Sequence, residues 1–172
     1  MANGGYPVLS VDPTAVNEAA ATRKLGTRYS HYDATYGWRT LKYIQNQGAV
    51  ASIAGSVASL GVGIGVTSVD RDSDSVAGDF FGGVHIAAVT ADYYGFVVCG
   101  IGDRCFVSTG GSVAAGDIAI VDPGNDKVAI SWAPTTTAPT VLQMLQGAGA
   151  VVGMFPEADA TLGGTCILLQ GA

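Results

Sequence analysis

The sequence predicts a mainly β fold: a small barrel or sandwich with Gly-rich hairpins and an extended N-terminal arm. Three observations carry this. Short apolar runs alternate with small or polar residues, as at Ile118, Ile120 and then Val128, Ile130, which is the period of half-buried strands. Glycine takes 25 of 172 positions, with Pro, Asn and Asp between the runs, a composition of turns rather than long helices. Only 13% of residues are charged while 48% are apolar. A monomer with so few charges covers its surface poorly, so burial in an assembly is expected.

The length suits one domain with a real core. Residues 1–24 carry two prolines and read as an arm that packs on something else, ordering only against a neighbour. Ala15 to Lys24 suit a short helix capped by Thr14 with Glu18 in an early turn. Residues 25–172 read as a single β-rich domain. In its first segment Tyr29, His31, Trp38 and Thr40 flank Asp-Ala-Thr-Tyr-Gly, a hairpin with a decorated tip. Leu60, Val62, Ile64 and Val66 alternate with bare glycines, so one strand face accepts close packing. Residues 93–108 read as a tight hairpin turning near Gly102, with Cys99 and Cys105 facing across it. In the stretch AAGDIAIVDPGNDKVAIS, Pro123, Gly124 and Asn125 build a turn between two strands. Asp117, Asp122 and Asp126 there shape turns rather than hold a metal. Two closing strands flank the polar turn near Glu157.

Charge and motifs exclude several function classes. Net charge is −6, yet Arg23, Lys24, Arg28, Arg39 and Lys42 gather five of the eight cations into one window. The acidic remainder argues against nucleic-acid binding, which needs a basic face. Tyr43 to Val69 has no charge, but its five glycines and single leucine argue against a membrane span. No charged start leads into an apolar core within residues 1–25, so synthesis in a cytosol is expected. Asp70, Asp72 and Asp74 mimic the opening of a calcium loop. Ser75 and Phe81 stand where an EF-hand needs Gly and Glu, so a solvated loop is the better reading. No phosphate-binding Gly-Lys-Ser/Thr occurs, no serine sits in a nucleophile elbow, and the three cysteines lack zinc spacing. His31 and His85 read as structural. No enzyme, cofactor or metal site is expected.

The C-terminal half has a cadence of its own. AAGDIAIVD, a turn and KVAI, then GAVVGMFPEADATLGGTCILLQ, resembles the small capsid decoration (cement) proteins of tailed bacteriophages. In that family a Gly-Asp opens a strand, a Val-Gly strand returns, and an acidic-Gly turn leads to a closing apolar strand. The matching positions are Gly116-Asp117, Val152-Gly153, Glu157 to Gly164, and Cys166 to Leu169. The upstream GWRTLKYIQNQGAVASIAG is similar to a strand of phage head proteins. The Gly-rich middle and the insertion from Pro134 to Thr140 depart from the pattern.

This resemblance implies a bacteriophage virion structural protein, made in the host cytoplasm. Such a protein binds the outside of the major capsid protein shell and stabilises it, as a homo-oligomer, with a trimer favoured. The expected contacts are the arm (Tyr6, Pro7, Val8, Leu9) and the basic aromatic hairpin (Arg28, Tyr29, Tyr32, Tyr36, Trp38, Arg39), because aromatics and arginines anchor interfaces. The alternative is a carbohydrate- or receptor-binding module on a virion surface. Tyr93, Tyr94, Trp38 and Trp132 would then stack on sugars, and the loop from Asp70 to Asp74 would hold calcium.

Overall fold

The computed structural model describes residues 5–48, 50–60, 68–69, 80–109, 111–121, 129–132, 151–160, 163–169 and 171. These residues are mainly β, with one short 3-10 turn at Pro13–Ala15. The first sheet contains β1 (Arg28–Asp33), β2 (Gly37–Asn46), β3 (Val57–Leu60), β4 (Ser68–Val69), β5 (Phe80–His85) and β6 (Tyr94–Val98). Its order is β1-β2-β6-β5-β3, with β4 also paired to β2. The second sheet contains β7 (Arg104–Ser108), β8 (Ile118–Val121), β9 (Ala129–Trp132), β10 (Val151–Met154) and β11 (Gly163–Leu168), ordered β7-β11-β10-β8-β9. Pairing is antiparallel except where β4 runs parallel to β2. Neither sheet closes into a barrel among the described residues. No described helix is long and apolar enough to cross a membrane.

The sequence of β2 explains its central place. Strand side chains alternate between faces, and Leu41 and Tyr43 enter one core while Ile44 joins Ala58 and Val97 on the opposite face. Both faces of β2 are therefore buried, and burial runs unbroken from Leu41 to Ile44. The larger cluster draws Leu41, Tyr43, Phe96 and Val98 from the first sheet. It draws Cys105, Val107, Val152 and Leu168 from the second. Each such side chain contributes roughly 1.5–3 kcal/mol of burial.

Residues 99–103 correct the expected second hairpin. β6 and β7 belong to different sheets, and the turn carries the chain from one to the other. Both sheets claim its polar groups. Asp103 Oδ2 accepts the Thr40 N–H at 2.6 Å, and the Gly102 N–H donates to the Leu168 carbonyl at 2.8 Å. Cys99 and Cys105 therefore do not face each other. Cys105 stands opposite Cys166 on β11, and all three cysteines are buried free thiols.

Residues 5–24 also depart from expectation, because the neighbour they pack on is their own chain. Leu9 and Val16 join the main core. The Leu9 N–H donates to the Ser30 carbonyl at 2.9 Å, and Ser30 returns a bond to Pro7. No helix follows Thr14. The Asp12 carboxylate accepts the Thr14 N–H and caps the 3-10 turn instead. Glu18 then pairs with Tyr94 as an isolated β-bridge, which extended backbone permits and helix forbids.

The β8–β9 pairing joins the two strands expected around Pro123, in the register Ile118↔Trp132 to Val121↔Ala129. Asp117 is buried, and its Oδ2 accepts the Ala114 N–H at 2.9 Å, so this aspartate shapes a turn. Asp122 and Asp126 lie outside the described residues, as do Gly61, Gly63, Gly65 and the insertion from Pro134 to Thr140.

Candidate functional site

The expected hairpin forms from β1 and β2, in the register Arg28↔Lys42 to Asp33↔Gly37. Its turn is built by Asp33, whose Oδ1 accepts the Thr35 and Tyr36 N–H groups at 2.8 and 3.0 Å. Asp33 Oδ2 holds Arg39 Nη2 at 2.6 Å. Burial pushes the Asp33 carboxyl up, but the two N–H groups and the guanidinium outweigh it and hold it below the usual range. Tyr36 lies 5.0 Å beneath the Arg39 guanidinium. Burial, then Arg39, hold the half-buried His31 below its ordinary pKa.

Opposite residues of an antiparallel pair share a face. One face of the hairpin therefore runs from Tyr32 and Trp38 at the tip, through Ser30 and Thr40, to Arg28 and Lys42. Tyr32 and Trp38 are 59% and 48% exposed. Their rings meet edge to face with centroids 5.6 Å apart, so each holds the other in place. Val8, on the arm, is also exposed.

Several expected contact residues lie elsewhere. Arg39 is buried against Asp33 and Tyr36 and offers no free charge to a partner. Leu9 is in the core, and Tyr29 packs against that core with its ring edge-on to Phe96. Arg28 donates to the Tyr6 hydroxyl at 3.2 Å, so Tyr6 and Arg28 meet each other as well as the surface. Arg23 pairs with Glu18 at 3.0 Å. The basic window is thus largely taken up inside the chain. What the hairpin presents is aromatic, the exposed Tyr32 and Trp38, and the arm adds the exposed Pro7 and Val8.

The most exposed large apolar side chain among the described residues was not among those expected. Ile101 is 74% exposed at the crossing between the sheets. Its position between two glycines, Gly100 and Gly102, was the available signal, since a large apolar residue at a turn tip is unusual.

Ser52 and His85 form the arrangement closest to catalytic chemistry. Ser52 Oγ lies 3.2 Å from His85 Nδ1 and also accepts the Val89 N–H at 2.9 Å. Both residues are 1% exposed, and His85 Nε2 has no hydrogen-bond partner. The pair fastens the 50–56 segment to β5 and offers no opening to a substrate. Tyr94, named for sugar stacking, lies over Tyr43 with centroids 6.0 Å apart. Asp70, Asp72 and Asp74 lie outside the described residues. Among the described residues no three His, Cys, Asp or Glu side chains gather as metal ligands. Comparison with known protein families, curated proteins and solved structures finds no match to the chain.

Proposed function

We propose that this chain is a bacteriophage capsid decoration protein, binding the outside of the major capsid protein shell as a structural element without catalysis. In this reading it is made in the host cytoplasm and resides on the virion exterior. Its two sheets act as facing layers of a sandwich, since one core draws on both. The observation that carries the reading is the exposed Tyr32–Trp38 pair at the hairpin tip. Two braced aromatics on a rigid hairpin have the character of interface anchors. The resemblance of the C-terminal cadence to cement proteins supplies the partner, and the low charge content suits a surface that assembly covers. The acidic body does not favour nucleic acid, and neither nucleic acid nor membrane has a role here.

Binding to purified undecorated shells tests this. Replacing Tyr32 and Trp38 together by Ser is expected to weaken attachment at least tenfold, as for truncated anchors, while the circular dichroism spectrum stays unchanged. Undiminished attachment would remove the hairpin tip from the interface. Retention on a glycan array, lost in the same variant, would favour the carbohydrate-binding module instead. Sedimentation at micromolar concentration reads the oligomeric state, with a trimer expected.

A further inference from the structure

Cys105 on β7 and Cys166 on β11 stand directly opposite each other. Opposite residues of an antiparallel pair share a face, and both thiols enter the main core beside Val107 and Leu168. The Leu168 N–H donates to the Asp103 carbonyl at 2.9 Å. Narrow and wide pairs alternate along such a ladder, so Cys105 and Cys166, two residues further on, form a narrow, hydrogen-bonded pair. Their Cα atoms are then about 5.5 Å apart, inside the range of roughly 4.4–6.8 Å that a disulfide requires.

The side chains need little movement to meet. Opposite Cβ atoms lie about 4.5–5.5 Å apart, against about 3.8 Å in a disulfide, so an approach of about 1 Å closes the gap. β7 is at the end of its sheet, with β11 on one side only, and a strand so placed shifts more readily than a central one. Gly153 leaves room for the second sulfur, since a Cβ there would stand 2.5 Å from Cys166 Sγ. The Cys166 S–H donates to the Ile167 carbonyl at 3.7 Å, a weak bond that rotation gives up cheaply. Cys99 is set apart: its electrostatic neighbours are Lys42, Arg28 and Asp103, whereas Cys105 senses Cys166.

We propose that Cys105 and Cys166 are a latent cross-strand disulfide, two thiols in the fold as made and a covalent staple of β7 to β11 after oxidation. The oxidant is a small-molecule disulfide such as oxidised glutathione. The Cys105 thiolate attacks one glutathione sulfur, and the first glutathione leaves as a thiolate that takes up the proton Cys105 lost. The Cys166 thiolate then attacks the Cys105 sulfur of the mixed disulfide, and the second glutathione leaves with the proton of Cys166. Two protein thiols are oxidised and one glutathione disulfide is reduced to two thiols. Burial holds both protein thiols protonated, Cys166 pushed up to about 12. Exchange therefore waits on local opening of β7 and is slow. In a reducing compartment the pair stays open; in an oxidising one it closes. The staple is independent of the aromatic tip and of any capsid partner.

The test incubates the full, folded chain with oxidised glutathione at pH 8.5, alkylates the remaining thiols and maps the linked peptides by mass spectrometry. A loss of two hydrogens from the intact chain is expected, with Cys105 joined to Cys166 and Cys99 alkylated. The thermal midpoint should rise by roughly 5–15 °C and return on reduction, because the bridge closes a loop of about 60 residues. The same reaction in urea should favour the short loop between Cys99 and Cys105, so the folded pairing reads the register. Cys99→Ala is expected to keep the bridge and the rise, and Cys105→Ala and Cys166→Ala to lose both. Should either of the latter fail to fold, the wild-type map decides alone. A folded chain that stays fully reduced, that links Cys99 as in urea, or that bridges without a rise in midpoint would overturn the proposal.

Discussion

The Tyr43 hydroxyl donates to Glu18 Oε2 at 2.6 Å, joining the central strand of the first sheet to the N-terminal arm. Tyr43 is fully buried, and its hydroxyl ties the core ring to the arm. Arg23 completes the contact, paired with Glu18 and 5.6 Å above the Tyr43 ring. Tyr43→Phe is expected to lower stability by about 1–2 kcal/mol, the range for a bond to a charged group at a partly exposed site. Urea unfolding reads the loss, and faster amide exchange at Glu18 and Tyr94 should accompany it. Deleting residues 1–22 goes further, because Leu9 and Val16 leave the core. That truncation should cost about 3 kcal/mol or more, and a truncated chain of unchanged stability would contradict the docking of the arm.

His85 makes the fold acid-sensitive. Burial lowers its pKa from 6.5 to about 4, so between those values the unfolded chain binds more protons than the folded one. Stability therefore falls as pH drops from about 6.5 toward about 4, and this contribution levels off below. The loss approaches about 3 kcal/mol at about 1.4 kcal/mol per unit. Urea midpoints across this window should slope in the wild type and flatten in His85→Leu. His31 is also held low and acts with the same sign, so His31→Asn serves as the control.

Gly153 is a position where nothing larger fits. A Cβ there would stand 2.3 Å from the Ile167 carbonyl oxygen and 2.5 Å from Cys166 Sγ. One of those atoms is backbone of the adjacent strand and cannot step aside. Gly153→Ala is expected to cost about 3 kcal/mol, the upper end of overpacking. Gly116→Ala, with open space but a φ of +88°, should cost about 1 kcal/mol from conformation alone. Thermal melts of the two variants give the comparison, and equal losses would refute the close packing of β10 on β11.

Arg39→Glu separates folding from docking. Because Arg39 is buried and bonded to Asp33, the reversal sets two carboxylates together and removes the partner of an aspartate. A loss of about 3 kcal/mol or more is expected, visible in melting before any binding is measured. Trp38→Ser, at an exposed position, should stay within about 1 kcal/mol of the wild type.

The amino-acid sequence by itself determined the β character of this protein, its strand periods, and the turn at Asp33 to Gly37. These are local properties: an alternating side chain or an Asx turn needs only its immediate neighbours. The mechanical role of Asp117 was legible for the same reason, since its carboxylate bonds three residues back. Contacts between distant segments were decided only by the tertiary structure. The chain around Gly102 looks like a hairpin in sequence, but Thr40 and Leu168, far away along the chain, take its polar groups and split the strands between two sheets. The cations around Arg28 look like a basic face, yet Asp33, Glu18 and Tyr6 draw most of them inward. Lys42 shows the limit most clearly. Its burial depends on strands β1 and β6 closing on either side of β2, and no pattern within its own segment signals a buried lysine.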